Sequence, residues 1–238
     1  MTGVSGEPVA VTHPRLPPRT RTARATSWWG RAWVRGVEEA AYAEEDLVAA
    51  RRLARAGKVG GIRVEQGRAW AAVEDTGGLW AADVVVPVLD DDLADALVET
   101  VAAAAGRITS LLAGDLPHEL VEHAEEAGVE LLPYGGELVA SCTCDAWVDP
   151  CVHALALLQQ VGWLLEADPF VLLHLRGLPR EELLARLHAL GPGSAGGRAP
   201  EPAAPEDPDL DAALDAAARA ARFLERLEAG DPAVEHLL

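Results

Sequence analysis

The chain has 238 residues, half of them hydrophobic, and its 38 acidic side chains outnumber 20 basic ones, for a formal net charge of −18. This length supports a hydrophobic core without disulfide bonds, and the charge argues against a protein whose whole surface binds nucleic acid or an anionic membrane. The longest uncharged stretch, around 150–165, is too short and polar for a membrane span, and residues 1–25 hold no apolar signal segment. We therefore expect a cytoplasmic protein without membrane contact.

The charges are distributed unevenly along the chain. Residues 1–68 carry twelve basic and seven acidic side chains, whereas residues 69–238 carry eight and thirty-one. The basic surface available to an anionic partner therefore lies in the N-terminal half and consists of Arg15, Arg19, Arg21, Arg24, Arg31, Arg35, Arg51, Arg52, Arg55 and Lys58.

The N-terminal half predicts an arm, helices and a small sheet, in that order. Residues 1–25 are rich in Pro and Arg, which predicts a disordered basic arm. A helix is predicted to begin at Thr26 or Ser27, and a second helix ends before Gly57. Three runs that alternate between apolar and polar residues then predict an antiparallel meander over 61–66, 69–74 and 79–88.

Helices dominate the predictions for the C-terminal half. Asp90 opens one helix, shorter helices fit 107–113 and 117–127, and extended segments are expected at 129–132 and 137–142. Further helices follow around Leu155–Leu165, 168–176 and 179–190. We predict an α+β class, with one core over 26–190, a Gly/Pro/Ala linker over 191–208, a C-terminal helix over 209–230 and a tail over 231–238.

Three cysteines and a histidine form the most informative pattern in the sequence. Cys142, Cys144, Cys151 and His153 follow the spacing C-x-C-x6-C-x-H, and the chain has no cysteines other than these three. Three thiolates and one imidazole make a complete tetrahedral shell for Zn²⁺. An extended segment directs the first two sulfurs to one side, and Cys151 is expected in the first turn of a helix, after Pro150.

A closed shell of four protein ligands predicts one structural zinc ion rather than a catalytic one. The alternative is a set of buried, inert thiols, or a disulfide with one thiol left over, which a cytosolic setting disfavours.

Residues on both sides of these ligands resemble a known family. Trp147 between the ligand pairs and the apolar run 154–158 resemble the SWIM zinc finger, which we place at about 129–167. Upstream, residues 28–33 and 51–72 resemble the N-terminal region of actinobacterial SWIM proteins, so that the similarity covers about 28–175. The resemblance implies that Cys142, Cys144, Cys151 and His153 bind zinc. It also implies contacts with DNA or with other proteins, since SWIM modules accompany SWI/SNF-type helicases and transposases.

The chain departs from this family in its charge. The turn after the second strand is basic and contains proline in relatives, whereas here it is the acidic segment 74–78. Eleven acidic residues and no Lys or Arg lie between Arg107 and Arg176. Because phosphate contacts dominate affinity for nucleic acid, the finger is poorly suited to hold a duplex.

Other motifs do not predict catalysis or cofactor binding. His118 and His123 resemble a zincin motif, but their spacing of five places them on different faces of a helix. The G-x-G-x-x-G pattern at 191–196 lies in the linker rather than between a strand and a helix. We therefore predict no catalytic and no cofactor-binding residues.

The sequence supports two functional hypotheses. The first is a non-enzymatic adapter, built around the zinc site, that binds a protein such as a SWI/SNF-type helicase. The alternative is an accessory protein that binds DNA or RNA through the Arg-rich N-terminal half. Most tryptophans, namely Trp28, Trp29, Trp33, Trp70, Trp80 and Trp163, are expected in the core, with Trp28 or Trp147 as a possible partner-facing anchor.

Overall fold

A computed structural model describes residues 10–20 and 24–190, and all of them belong to one compact unit. The elements are β1 Val11–His13, α1 Trp28–Ala40, α2 Glu44–Arg55, β2 Ile62–Glu65, β3 Arg68–Asp75, β4 Gly78–Val85, α3 Asp91–Ala102, α4 Ala105–Leu112, α5 His118–Glu126, a 3-10 turn Gly135–Glu137, β5 Val139–Cys142, α6 Val152–Ala167, α7 Phe170–Leu175 and α8 Arg180–Leu190. The α+β class is confirmed. The predicted linker, C-terminal helix and tail lie outside the described residues.

Helix α1 forms as its sequence predicts. Ser27 is the N-cap, and its Oγ accepts a hydrogen bond of 2.9 Å from the Gly30 backbone N–H. Trp29, Trp33 and Val37 recur every four residues and are all buried. Their common face fixes how α1 packs on the core.

The five strands form one antiparallel sheet in the order β1-β2-β3-β4-β5. The predicted meander supplies β2, β3 and β4. Asp75 pairs with Gly78 across a two-residue loop, in which Gly77 has a φ of +101°. A backbone in this region favours glycine, which explains the Thr-Gly-Gly sequence of the turn.

The prediction of a disordered arm is wrong for residues 11–13. These residues form β1, in which Val11 pairs with Val64 and His13 with Ile62. The free edge of β2 offers unpaired main-chain groups, and β1 satisfies them through its backbone rather than through apolar side chains. Further along the arm, Arg15 Nε donates to the Gly57 carbonyl at 2.7 Å.

The extended segment predicted at 129–132 contributes to the core without joining the sheet. Val129 and Leu131 are fully buried. The backbone carbonyl between them, that of Glu130, accepts a hydrogen bond of 2.7 Å from the buried guanidinium of Arg176. The Arg176 side chain therefore supplies the hydrogen-bond donor that a neighbouring strand supplies to a carbonyl within a sheet.

Helix α6 lies at the centre of the unit. It contacts α1 and α2 as well as β3, β4 and β5. Eleven of its sixteen residues are buried, because it is apolar on all sides. None of the described helices is both long enough and apolar enough to cross a membrane.

The tryptophans divide between core and surface. Trp29 and Trp33 are buried, as predicted, whereas Trp70 is 39% exposed on the sheet, so that its predicted core position is wrong. Trp70 lies at an outward position of β3, between the buried Ala69 and Ala71. Successive side chains of a strand point to opposite faces of the sheet, and this alternation places Trp70 on the exposed face despite its hydrophobicity.

The carboxylate of Glu166 joins the C-terminal end of α6 to the start of α1. Its two oxygens accept hydrogen bonds from the backbone N–H groups of Thr26 and Ser27, both at 2.8 Å, and from their hydroxyls at 2.5 and 2.6 Å. Burial raises the pKa of this carboxyl, but the hydrogen bonds from Ser27 and Thr26 outweigh burial and hold the pKa below its usual value.

We expect Glu166→Gln to lower the free energy of unfolding at pH 7 by about 1.5–3 kcal/mol, the usual contribution of hydrogen bonds to a charged group. A carboxyl with a lowered pKa stabilises the fold above its unfolded pKa and loses this effect as the pH falls through its folded pKa. The difference between wild type and variant in urea unfolding should therefore shrink below about pH 4. Glu126→Gln, at an exposed position in α5, is the control, and a pH-independent difference for Glu166→Gln would contradict the charge-based role.

Candidate metal centre

The sheet positions the first two ligands of the predicted site. Cys142 is the last residue of β5 and pairs with Ala82 of β4. The next residue, Thr143, extends this pairing, because its backbone N–H donates to the Ala81 carbonyl and its Oγ1 accepts from the Ala81 N–H, both at 3.0 Å. Cys144 therefore follows a segment that is held along β4.

The N-terminus of α6 positions the other two ligands. Cys151 is the N-cap of α6, one residue earlier than the predicted first turn, and His153 is the second residue of the helix. The Cys151 carbonyl accepts a hydrogen bond of 2.9 Å from the Leu155 backbone N–H. Pro150 precedes Cys151 and keeps the helix from extending further back.

The four side chains converge on one point. The candidate ligand atoms of Cys142, Cys144, Cys151 and His153 all lie within 4.8 Å of one another. Cys144 Sγ lies 3.5 Å from Cys151 Sγ, and His153 Nδ1 lies 3.7 Å from Cys142 Sγ and 4.0 Å from Cys151 Sγ. A tetrahedron with Zn–S bonds of about 2.3 Å and Zn–N bonds of about 2.1 Å has edges of about 3.5–3.8 Å. The donor set and its spacing thus fit Zn²⁺.

The cysteines are free thiols rather than a disulfide pair. A disulfide bond is about 2.05 Å long, well below the shortest Sγ–Sγ distance named above. Of the alternatives left open by the sequence, the disulfide is therefore absent from this structure.

Burial favours the protonated form of two of the thiols, those of Cys151 and Cys142, when no metal is bound. Burial raises the pKa of the Cys151 thiol to about 12, against an opposing hydrogen bond from the Ala154 backbone N–H, and burial also raises the pKa of Cys142. The helix N-terminus alone thus does not produce a thiolate at Cys151. Because Zn²⁺ binds thiolates, metal uptake must release thiol protons, and the affinity falls as the pH falls.

Two residues outside the ligand set flank the His153 ring, and the sequence did not reveal them. The Trp80 ring lies over it at 5.9 Å between centroids and 27° between planes. His153 Nε2 faces the Asp75 carboxylate at 3.5 Å, which leaves Nδ1 directed at the sulfurs. A carboxylate behind a histidine ligand orients the ring and raises its basicity. The acidic turn that departs from the family pattern thus places Asp75 where it supports the site.

The histidines of the rejected zincin-like motif make separate contacts. His118 is exposed and lies 3.2 Å from Glu122, whereas His123 Nδ1 lies 2.7 Å from the Glu119 carbonyl. Within residues 10–20 and 24–190, the Cys/His group is the one cluster of at least three such side chains that could hold a metal ion.

Comparison with known proteins identifies the same segment. Residues 128–162 match the SWIM zinc finger. An uncharacterized protein of Mycobacterium tuberculosis is 28% identical to this chain over 172 residues, which cover 71% of this chain and 62% of the relative. The chain thus spans less than two thirds of that relative's length. No solved structure matches the chain. The match and the Cys3His cluster together support zinc binding.

Proposed function

We propose that this chain, whose residues 128–162 are a SWIM zinc finger, is a cytoplasmic, non-enzymatic adapter that binds a protein through the surface around one structural Zn²⁺. A shell of four protein ligands supports the structural role, because it leaves no position for a substrate or an activated water. The finger's resemblance to SWIM modules that accompany SWI/SNF-type helicases suggests such a helicase as the partner.

The observation that carries this proposal is an exposed aromatic pair beside the metal ligands. Trp147 lies in the loop between the two ligand pairs and is 82% exposed. Its ring packs edge-on against Tyr42, which is itself 70% exposed, with 5.2 Å between the centroids. Aromatic side chains dominate the hot spots of protein interfaces, and this pair has no role in the core.

We expect Trp147→Ala to weaken helicase binding at least tenfold, since loss of an interface hot spot costs about 2 kcal/mol or more. The melting temperature should stay unchanged, because the side chain is exposed. Binding of the zinc-loaded full-length chain to a SWI/SNF-type helicase from the same organism, after nuclease treatment, is measured by biolayer interferometry. Trp70→Ala, at an exposed position on the sheet, is the matched control. Equal binding by both variants, or no binding by the wild type, would contradict the adapter function.

A second candidate function is binding of nucleic acid through the N-terminal half. It is favoured by the grouping of Arg31 and Arg35 of α1 with Arg51 and Arg55 of α2 along one concave surface, in a chain that is otherwise strongly acidic. Clustered guanidinium groups supply the electrostatic component of phosphate binding. Binding of a labelled oligonucleotide that falls steeply between about 50 and 200 mM salt would support this function.

A further inference from the structure

A cavity of about 760 Å³ lies among α1, α2, α6 and the start of α5, and none of the metal ligands lines it. Its wall includes five arginines, two tryptophans and a buried glutamine, and these are Arg24, Arg31, Arg35, Arg51, Arg55, Trp28, Trp163 and Gln159. The volume is typical of pockets for small ligands. The sequence did not reveal this cavity, because Gln159 and Trp163 lie more than a hundred residues after the arginines.

The cavity is strongly positive. Among residues 10–20 and 24–190, Glu38 is the one carboxylate in the wall, and Arg51 Nη2 already pairs with Glu38 Oε1 at 2.5 Å. Arg31 donates to the Thr26 carbonyl through one nitrogen, which leaves its other donors for a ligand. Arg35 has no hydrogen bond or ion pair with any residue that the structure describes. Among the described residues, the arginines of this wall outnumber its carboxylates, and Arg35 and the remaining donors of Arg31 can still bind a ligand, which indicates a site for an anion.

A buried amide supplies a second, independent indication of a ligand. Gln159 is only 9% exposed, and its Nε2 has no hydrogen-bond partner among the described residues. Buried polar groups are nearly always paired, so an unpaired one in a cavity wall requires an explanation. A ligand with a hydrogen-bond acceptor at this point would provide the missing partner.

The tryptophans give the cavity flat apolar surfaces beside the charges. The Trp28 indole Nε1–H donates to the Leu116 carbonyl at 2.8 Å, which fixes the ring and satisfies its polar group. The Arg19 guanidinium lies 4.1 Å above the Trp163 ring and extends the positive charge beyond the cavity. Indole rings beside arginines are typical of surfaces on which single-stranded bases stack.

We propose that this cavity binds one nucleotide unit of a single-stranded nucleic acid. The arginines hold the phosphate, the indole rings contact the base, and the Gln159 amide donates to the base edge. A duplex does not fit this role, because its bases are paired and stacked and cannot enter a pocket without being extruded. This inference rests on the second candidate function and assigns that function to a specific site.

The test uses the zinc-loaded full-length chain and a fluorescein-labelled oligothymidylate of about twelve nucleotides, with binding measured by anisotropy at about 50–200 mM salt. We expect Arg35→Gln to weaken binding about tenfold and to lower the salt slope by about 0.7, the effect of losing one phosphate contact on a single strand. Arg52→Gln is the matched control, because Arg52 is exposed on α2 and lies outside the cavity wall, and it should change binding less than twofold.

Gln159→Leu separates a ligand role from a structural one. Leucine has a similar size and removes the unpaired amide, so that binding should weaken about fivefold while the melting temperature does not fall. Competition with thymidine monophosphate then shows whether the cavity takes a free nucleotide or only a nucleotide that is part of a strand. If thymidine monophosphate displaces the labelled oligonucleotide, a free nucleotide is sufficient for binding. If the oligonucleotide stays bound, the neighbouring nucleotides of the strand are also required. Both outcomes support the site.

Three results would overturn the assignment. If Arg35→Gln and Arg52→Gln weaken binding equally, or if a duplex binds as tightly as the single strand, the nucleic-acid function stands but the cavity is not its site. If no oligonucleotide binds at about 50 mM salt, the function and the cavity site both fail.

Discussion

Replacing Cys151 with serine is expected to unfold the zinc finger and, with it, α6. Zinc binding in isolated finger peptides contributes about 10–16 kcal/mol, whereas a whole domain is stable by only about 5–15 kcal/mol. Cys151 is the N-cap of α6, and His153 lies two residues further on, so that loss of the metal removes the anchor of the central helix. Residues 134–165 are the minimum that we expect to lose their structure.

This effect is measured by circular dichroism and by the zinc content of the purified chain. Cys151→Ser should lose most of the bound zinc and much of the helical signal, and chelation of zinc from the wild type should produce the same spectrum. Ser141→Ala is the control, because Ser141 is an exposed residue of β5 next to Cys142. A variant that keeps one zinc per chain and an unchanged melting temperature would show that Cys151 is not a ligand.

Trp33→Ala should cause the largest loss of stability among substitutions away from the metal. Trp33 is 1% exposed, and its Nε1 donates to the Leu158 carbonyl of α6 at 3.0 Å. Truncating a buried tryptophan costs about 3–5 kcal/mol, because a large cavity remains. The fit is tight on the α6 side as well, since a Cβ at Gly162 would lie 2.8 Å from Trp33 Cδ1.

Urea unfolding of zinc-loaded protein checks this expectation. The exposed Trp147→Ala is the control and should change the free energy of unfolding by less than about 0.5 kcal/mol. If Trp33→Ala lowers the free energy of unfolding by less than about 1 kcal/mol, this side chain does not hold α1 against α6.

Local patterns in the sequence were sufficient for much of the fold. Ser27, the four-residue spacing of Trp29, Trp33 and Val37, and the turn at Gly77 each specify their element through neighbouring residues. The four candidate ligands lie within twelve residues, so that their spacing alone brought them together in the prediction.

The features that were not predicted depend on contacts between distant segments. Strand β1 exists because the edge of β2 lies beside it, and three mostly exposed residues carry no hydrophobic signal of their own. Asp75 reaches His153 only because the sheet places the turn after β3 next to the start of α6. Side chains from four helices, α1, α2, α5 and α6, likewise form the arginine-lined cavity, which no single segment encodes.

The central position of α6 links surfaces that are far apart in the sequence. Its first residues belong to the metal centre, Gln159 and Trp163 further along the helix line the cavity, and Glu166 near its end holds the start of α1. A chain without metal would therefore lose the aromatic pair beside the finger and the cavity wall together. Metal binding would therefore be a common requirement of both surfaces, although neither the aromatic pair nor the arginines are metal ligands.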